Sequence, residues 1–312
     1  MPSKYQRILE GVPESYRAAV AQAGLPADTA ERRLKEFFWS MGEQVRHPFE
    51  FEPYHRLITE PFDYYTFGVE FFRPLVDKSR STLTGREHLQ RIATQLAARE
   101  NVIYLANHQT EADPQVISLL LEDEFPELGR EMIFVAGERV IADPMTAPFS
   151  MGRNLLCIYS KRHIEHPPEM KAAKQLHNRK TMERMVELLD EGGHGIYVAP
   201  SGGRDRPNAD GVVEVARFDP QSVEMFRLMA QRAGRPTHFY PMSLATYDIM
   251  PPPEKVEVEL GELRRLRRCP VHLAMGAELN FDRFTDPDRD ARRAAQADAA
   301  WQAVKDAYAK FS

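Results

Sequence analysis

The chain predicts an α/β fold, a mixed sheet flanked by helices on both faces, and three observations lead there. From residue 49 onward, short apolar runs of strand character alternate with longer runs of helical periodicity, the pattern of a mostly parallel or mixed sheet under helices. Residues 4 to 45 hold only helix-like spacings. Between them lies His47-Pro48-Phe49-Glu50-Phe51-Glu52-Pro53-Tyr54, a proline- and aromatic-rich stretch that suits a packed linker. A helical N-terminal domain over 1–48 and an α/β domain over 49–312 are therefore expected.

Each element has a local reason. Tyr5, Ile8, Leu9, Tyr16 and Val20 recur at helical spacing, and Gly24-Leu25-Pro26 separates them from Leu34, Phe37, Phe38 and Met41. Helices are then predicted over 61–78, 86–99, 114–123, 168–191, 219–233 and 288–311. Strands are predicted over 101–106, 132–136, 155–160, 195–199, 237–245 and 255–261. The 168–191 segment places Met182, Met185, Val186 and Leu189 on one face and charged residues on the other.

Composition narrows the function. A net charge of -5 and a pI near 6.1 argue against nucleic acid as the main partner. No apolar run approaches the ~18 residues of a membrane-spanning helix, and Met1-Pro2-Ser3-Lys4-Tyr5-Gln6-Arg7 has neither a signal core nor a transit-peptide composition. Cys157 and Cys269 are the two cysteines, the first in an apolar strand-like run, so no disulfide and a reducing, cytoplasmic compartment are expected. The histidines show no metal-ligand spacing, and neither a metal nor another cofactor is expected.

The richest stretch is Asn107-His108-Gln109-Thr110-Glu111-Ala112-Asp113-Pro114. It follows a predicted buried strand and precedes a predicted helix, with Asp113 expected at the cap and Pro114 at the first helical position. His108 then stands at the carboxyl end of a strand, where open α/β sheets hold ligands. An imidazole there can take a proton from a hydroxyl near neutral pH, and a carboxylate beyond a four-residue spacer can fix its tautomer. Asp113 can equally be no more than an N-cap, a role aspartate fills well.

Two further strand ends are basic. Strand 155–160 runs into Ser160-Lys161-Arg162-His163, and strand 195–199 runs into Pro200-Ser201-Gly202-Gly203-Arg204-Asp205-Arg206-Pro207. The glycines let backbone N–H groups approach an anion, and the two arginines can fork onto phosphate oxygens. Together the loops suggest an anion site beside a base. Arg264, Arg265, Arg267 and Arg268 form another basic run, for which a solvated loop is the better expectation than an acidic docking partner. The chain has no P-loop, no dinucleotide fingerprint and no nucleophile elbow, so no covalent acyl-enzyme is expected.

At these residues the chain resembles the soluble, plastid-type glycerol-3-phosphate acyltransferases, which also occur in some bacteria. The resemblance runs from about Ile58 to Glu262 through Glu60–Tyr65, Asn107–Pro114, Val135–Arg139, Pro148–Asn154, Ala199–Pro207 and Asp248–Pro253. It implies a small N-terminal helical bundle on a larger α/β domain, with His108 as general base and Asp113 as its orienting partner. It further implies that His163, Arg204 and Arg206 bind the phosphate of glycerol 3-phosphate, with Arg162 standing where the family has lysine. The implied donor is acyl-acyl carrier protein or acyl-CoA, the implied place the cytoplasm, or the plastid stroma for a processed form, and no integral membrane segment is implied. Backbone N–H groups at the start of the helix after Asp113 are the expected oxyanion donors. Two alternatives stay open: acylation of lysophosphatidate at sn-2, and a non-catalytic phospholipid- or acyl-carrier-binding module.

Overall fold

The computed structural model describes residues 6–160, 164–252 and 264–311. Among these the strands are β1 (Tyr54–His55), β2 (Thr82–Thr84), β3 (Asn101–Ala106), β4 (Ile133–Gly137) and β5 (Asn154–Ile158). They continue with β6 (Gly195–Val198), β7 (Arg206–Pro207), β8 (Val213–Glu214), β9 (Thr237–Ala245) and β10 (His272–Met275). The helices are α1 (Gln6–Gln22), α2 (Ala27–Arg46), α3 (Tyr64–Phe72), α4 (Arg86–Ala97), α5 (Asp113–Leu121) and α6 (Pro126–Glu131). After them come α7 (Glu138–Ala142), α8 (Ala147–Met151), α9 (Lys171–Glu191), α10 (Pro220–Arg232) and α11 (Arg289–Tyr308).

Eight strands form one mixed sheet in the order β1-β5-β4-β6-β3-β9-β10-β2. Its middle, β5-β4-β6-β3-β9, is parallel throughout. β1 and β10 join antiparallel at either side, and β2 pairs parallel with β10. Every residue of β3 is buried, as a central strand with both faces covered requires. Ile103 and Leu105 pack with Met185, Leu188, Val223 and Trp301 of α9, α10 and α11. Val102, Tyr104 and Ala106 face the other way, onto Leu89, Ile92, Ile117, Leu121 and Leu128 of α4, α5 and α6. The expected mixed sheet with helices on both faces is present.

The N-terminal helices α1 and α2 pack together and share a core with α3 and α5. Val12, Tyr16, Leu34, Phe37 and Met41 cluster with Phe67, Phe71, Val116 and Leu119. The Tyr16 ring stacks on Phe71 at 4.5 Å between centroids, and its hydroxyl donates to the Phe71 carbonyl at 2.9 Å.

Several boundaries differ from expectation for identifiable reasons. The predicted helix 61–78 is shortened to α3, because Asp63 caps it by accepting from the Thr66 N–H at 2.9 Å and Pro74 turns its end into a 3₁₀ turn, Arg73–Leu75. The start of the predicted 168–191 helix is likewise a 3₁₀ turn, Pro168–Met170. β1, β2 and β10 were not expected, and the expected strand 255–261 lies outside the described residues.

Candidate active site

The parallel topology brings five loops to one edge of the sheet. β3, β4, β5, β6 and β9 end there and lead into Asn107, Glu138, Tyr159, Ala199 and Thr246 respectively. Three of them, after β3, β5 and β6, are the strand ends that the sequence marks, gathered where open α/β sheets hold ligands.

Asn107 fixes how the chain leaves β3. Its side chain continues the sheet pairing beyond the end of the strand, accepting from the Leu244 N–H at 2.8 Å and donating to the Leu244 carbonyl at 2.9 Å. Tyr197 donates its hydroxyl to the Asn107 carbonyl at 2.7 Å. With Asn107 pinned, the next residue, His108, projects from the sheet edge and stays 30% exposed.

His108 Nδ1 lies 2.7 Å from Asp113 Oδ2. An ionised carboxylate only accepts, so Nδ1 carries the proton and Nε2 is the basic nitrogen of the neutral ring. Asp113 is 1% exposed and richly solvated by protein. Oδ2 also accepts from the Gln109 N–H at 2.9 Å, while Oδ1 accepts from the Thr246 hydroxyl at 2.6 Å and the Thr110 N–H at 3.2 Å.

This overturns the expected N-cap. Asp113 is the first residue inside α5, the cap position belongs to Ala112, and the carboxylate points back onto the turn before the helix. The expected oxyanion donors are also engaged. The N–H groups of Gln109 and Thr110 are used by Asp113, and that of Ala112 by the Thr110 hydroxyl. The Asp113 and Gln115 N–H groups go to the Thr110 and Ala112 carbonyls.

Burial disfavours the His108 imidazolium, but the hydrogen bond and charge of Asp113, helped by Glu111, outweigh it, and the pKa is raised. Glu111 is two residues before Asp113. Its burial favours the neutral acid, yet Arg264 and Arg204 reverse that and hold the carboxyl below its ordinary range. Arg204 Nη1 and Arg264 Nη2 both donate to Glu111 Oε1, the latter at 2.8 Å.

Asp205 joins the loop after β6 to the His108 turn. It is fully buried, its N–H donates to the His108 carbonyl at 2.7 Å, and its Oδ2 accepts from Asn107 at 2.7 Å and Gln109 at 3.2 Å. Desolvation raises its pKa against those donors. Arg204 and Arg206 flank it, both half-buried, and Arg206 opens the small β7–β8 hairpin opposite Glu214.

The structure thus brings His108, Asp113 and Arg204 together and places Arg206 on the adjoining hairpin, whereas Arg162 and His163 lie outside the described residues. The solvated-loop expectation for residues 264–268 fails at two positions. Arg264 is buried against Glu111, and Arg268 donates to the Pro74 and Val76 carbonyls at 3.0 and 2.8 Å. Thr246, Asp205 and Glu111 were missed. Thr246 was within reach, since it directly follows a correctly placed strand of the same sheet.

Two other features stand away from this edge. Arg153, from the family-like Pro148–Asn154 segment, is buried at the amino edge of the sheet, donating to the Ser118 hydroxyl at 2.6 Å beneath the Tyr65 ring. Burial pulls its pKa down to about 10. A cavity of about 600 Å³ lined by Leu96, Leu128, Met132, Leu188 and Glu191 also opens at the amino edge.

A family model described as Acyltransferase matches residues 80–245. A chloroplastic glycerol-3-phosphate acyltransferase of Arabidopsis thaliana is 39% identical over 313 residues, covering 99% of this chain and 68% of the relative. One from Cucurbita moschata is 40% identical over 302 residues, covering 95% of this chain and 67% of its own length. Among the described residues no helix is long and apolar enough to cross a membrane. With likeness of this degree along nearly its whole length, and with the His108–Asp113 pair in place, the chain belongs to the glycerol-3-phosphate acyltransferase family.

Proposed function

We propose that this chain transfers a fatty acyl group from acyl-acyl carrier protein, or acyl-CoA, to the sn-1 hydroxyl of glycerol 3-phosphate. The product is 1-acyl-glycerol 3-phosphate, a precursor for phospholipid synthesis. The observation that carries the proposal is the 2.7 Å contact of His108 Nδ1 with Asp113, which leaves Nε2 as a base beside an arginine-bearing loop. Arg204 and Arg206, with Arg162 and His163 as the family resemblance implies, hold the phosphate and so deliver the hydroxyl to Nε2.

The steps balance simply. The hydroxyl proton passes to His108 Nε2 as the oxygen bonds to the thioester carbonyl carbon, and Asp113 stabilises the imidazolium. The tetrahedral intermediate then breaks its C–S bond, and the imidazolium returns the proton to the departing thiolate. General-base help of this kind contributes ~10²–10⁴-fold, and positioning through the phosphate adds a comparable factor. The chloroplastic relatives support the plastid stroma as its place, with the cytoplasm as the alternative.

Thiol release measured with glycerol 3-phosphate and with lysophosphatidate as competing acceptors tests the assignment. Glycerol 3-phosphate should be strongly preferred, and His108→Ala should retain less than about one hundredth of kcat while still binding glycerol 3-phosphate. Preference for lysophosphatidate would make the enzyme an sn-2 acyltransferase, and no turnover with either acceptor would favour a binding module.

A further inference from the structure

The first half of α9 stands beside the substrate edge of the sheet and is left largely uncovered. Asn178 fixes its height. The amide oxygen accepts from the Tyr159 N–H at 2.7 Å and the NH₂ donates to the Tyr159 carbonyl at 2.9 Å, just past the end of β5. Further along, the Thr181 hydroxyl donates to the Cys157 carbonyl at 2.7 Å, inside β5. The helix ends at the opposite edge, where the Glu191 carbonyl accepts from Arg99 Nη2 at 2.7 Å, shortly before β3. Residues 171–177 therefore project past the sheet on the His108 side, by about 10 Å at a rise of ~1.5 Å per residue.

From Met170 to Met182 the chain holds Lys171, Lys174, Arg179 and Lys180, and no aspartate or glutamate. Lys171 is paired with Glu165 at 2.8 Å, and Lys174 donates to the His166 carbonyl. Arg179 and Lys180 are exposed and have no acidic partner among the described residues. Met170 is 45% and Leu176 49% exposed, and Leu176 shares the outer face with Arg179 and Lys180, three and four positions on. Cations around an uncovered leucine attract an acidic protein, on a chain whose net charge of -5 would otherwise repel one. An anionic bilayer fits less well, because Ala172, Ala173, Gln175, His177 and Asn178 give this half no broad apolar face to insert.

We infer that the face of α9 around Leu176, Arg179 and Lys180 is the docking surface for the acyl carrier protein form of the donor. Such a carrier is a small acidic protein whose thioester rides on a flexible arm. It seats outside the catalytic cleft, at a place from which the arm reaches His108, and the projecting end of α9 is such a place. Acyl-CoA brings its thioester without a protein and needs no seat of this kind. The inference rests on acyl-acyl carrier protein being a donor, as in the function proposed for this chain.

The test is steady-state thiol release by the full chain at saturating glycerol 3-phosphate, with acyl-acyl carrier protein and acyl-CoA of one chain length as alternative donors. Arg179→Glu/Lys180→Glu should raise KM for the carrier donor about tenfold or more and leave KM for acyl-CoA within about threefold. Leu176→Asp, which sets an acid among those cations, should raise the carrier KM at least about threefold, again without effect on acyl-CoA. The acyl-CoA arm reports folding and chemistry on the same preparation, since a stability defect harms both donors alike. An unchanged carrier KM in either variant, or an equal rise for both donors, overturns the inference. Should the charge-reversed variant fail to fold, Arg179→Gln/Lys180→Gln decides by the same comparison. Loss of sedimentation with anionic phospholipid vesicles on charge reversal, beside an unchanged carrier KM, overturns it in favour of a membrane contact. A wild type that turns over acyl-CoA but not the carrier donor removes the docking role alone, whereas one that uses neither donor removes the proposed acyl transfer as well.

Discussion

The Thr246 hydroxyl reaches Asp113 Oδ1 at 2.6 Å, on the carboxylate oxygen that His108 leaves unused. Thr246 follows β9 and Asp113 opens α5, so two elements of the sheet edge together fix one carboxylate. Thr246→Val keeps the shape and removes the donor. A hydrogen bond to a charged group contributes about 1.5–3 kcal/mol, and thermal unfolding should show a loss in that range. The fall in kcat should be smaller than that of Asp113→Asn, since the other donors to Asp113 remain.

Asp113→Asn should damage both stability and turnover. Asp113 is wholly acceptor, with N–H or O–H donors converging on both oxygens. An amide must turn its NH₂ onto one set of those donors, which leaves a buried donor unsatisfied at about 1–3 kcal/mol. If Asp113 were only a cap, Asn would replace it almost without loss. Melting temperature and kcat measured on the same preparation separate the two outcomes.

Activity should fall on the acid side at a pH above the ordinary histidine value of about 6.5. Burial opposes the imidazolium, but Asp113 and Glu111 raise the His108 pKa overall, and the protonated ring cannot act as a base. The kcat/KM profile of the wild type should show that limb, and an NMR titration of the His108 ring should give the same midpoint. Removing the Asp113 charge should move the ring titration down. The corresponding contribution to stability is fully present below the unfolded-state pKa and is lost as pH rises through the raised folded one.

Arg204→Ala and Arg206→Ala should each lower kcat/KM for glycerol 3-phosphate by roughly 10–150-fold, the equivalent of about 1.5–3 kcal/mol. Glycerol, which has no phosphate, should lose far less. Lysine at either position should recover only part of the loss, because a point charge does not reproduce a bidentate fork. Equal damage to both acceptors would indicate a stability defect rather than a phosphate clamp.

The sequence made β3 and β9 legible to the residue, since each is a long run of buried side chains in the parallel core. β2 gave almost no signal, being Thr82-Leu83-Thr84 with only Leu83 buried. β10 carried a signal that was missed: Val271, Leu273 and Met275 are buried between Pro270 and Gly276. In the site, His108 and Asp113 were visible because five positions of chain bring them together locally. Arg264 and Asp205 were not, because their partners Glu111 and Asn107 lie 153 and 98 positions away, and no local pattern reports a contact of that range. The dense Pro148–Asn154 motif shows the converse. Its Arg153 ties Ser118 and Gly129 beneath Tyr65 at the far edge of the sheet from His108, where it braces helices.

Gln109 ties the His108 turn to the far end of the chain. Its Oε1 accepts from the Thr246 and Tyr247 N–H groups at 2.6 and 2.9 Å, and its Nε2 donates at 3.2 Å to the hydroxyl of Tyr308, the last residue of α11 and 199 positions downstream. A chain emerging from the ribosome therefore makes His108 early and the distant supports of its turn late. At about 5–20 residues per second, the interval to Tyr308 is roughly 10–40 s, with Thr246 made part-way through it, 137 positions after Gln109. The hydrogen-bond network around Gln109 is complete only once α11 has been made.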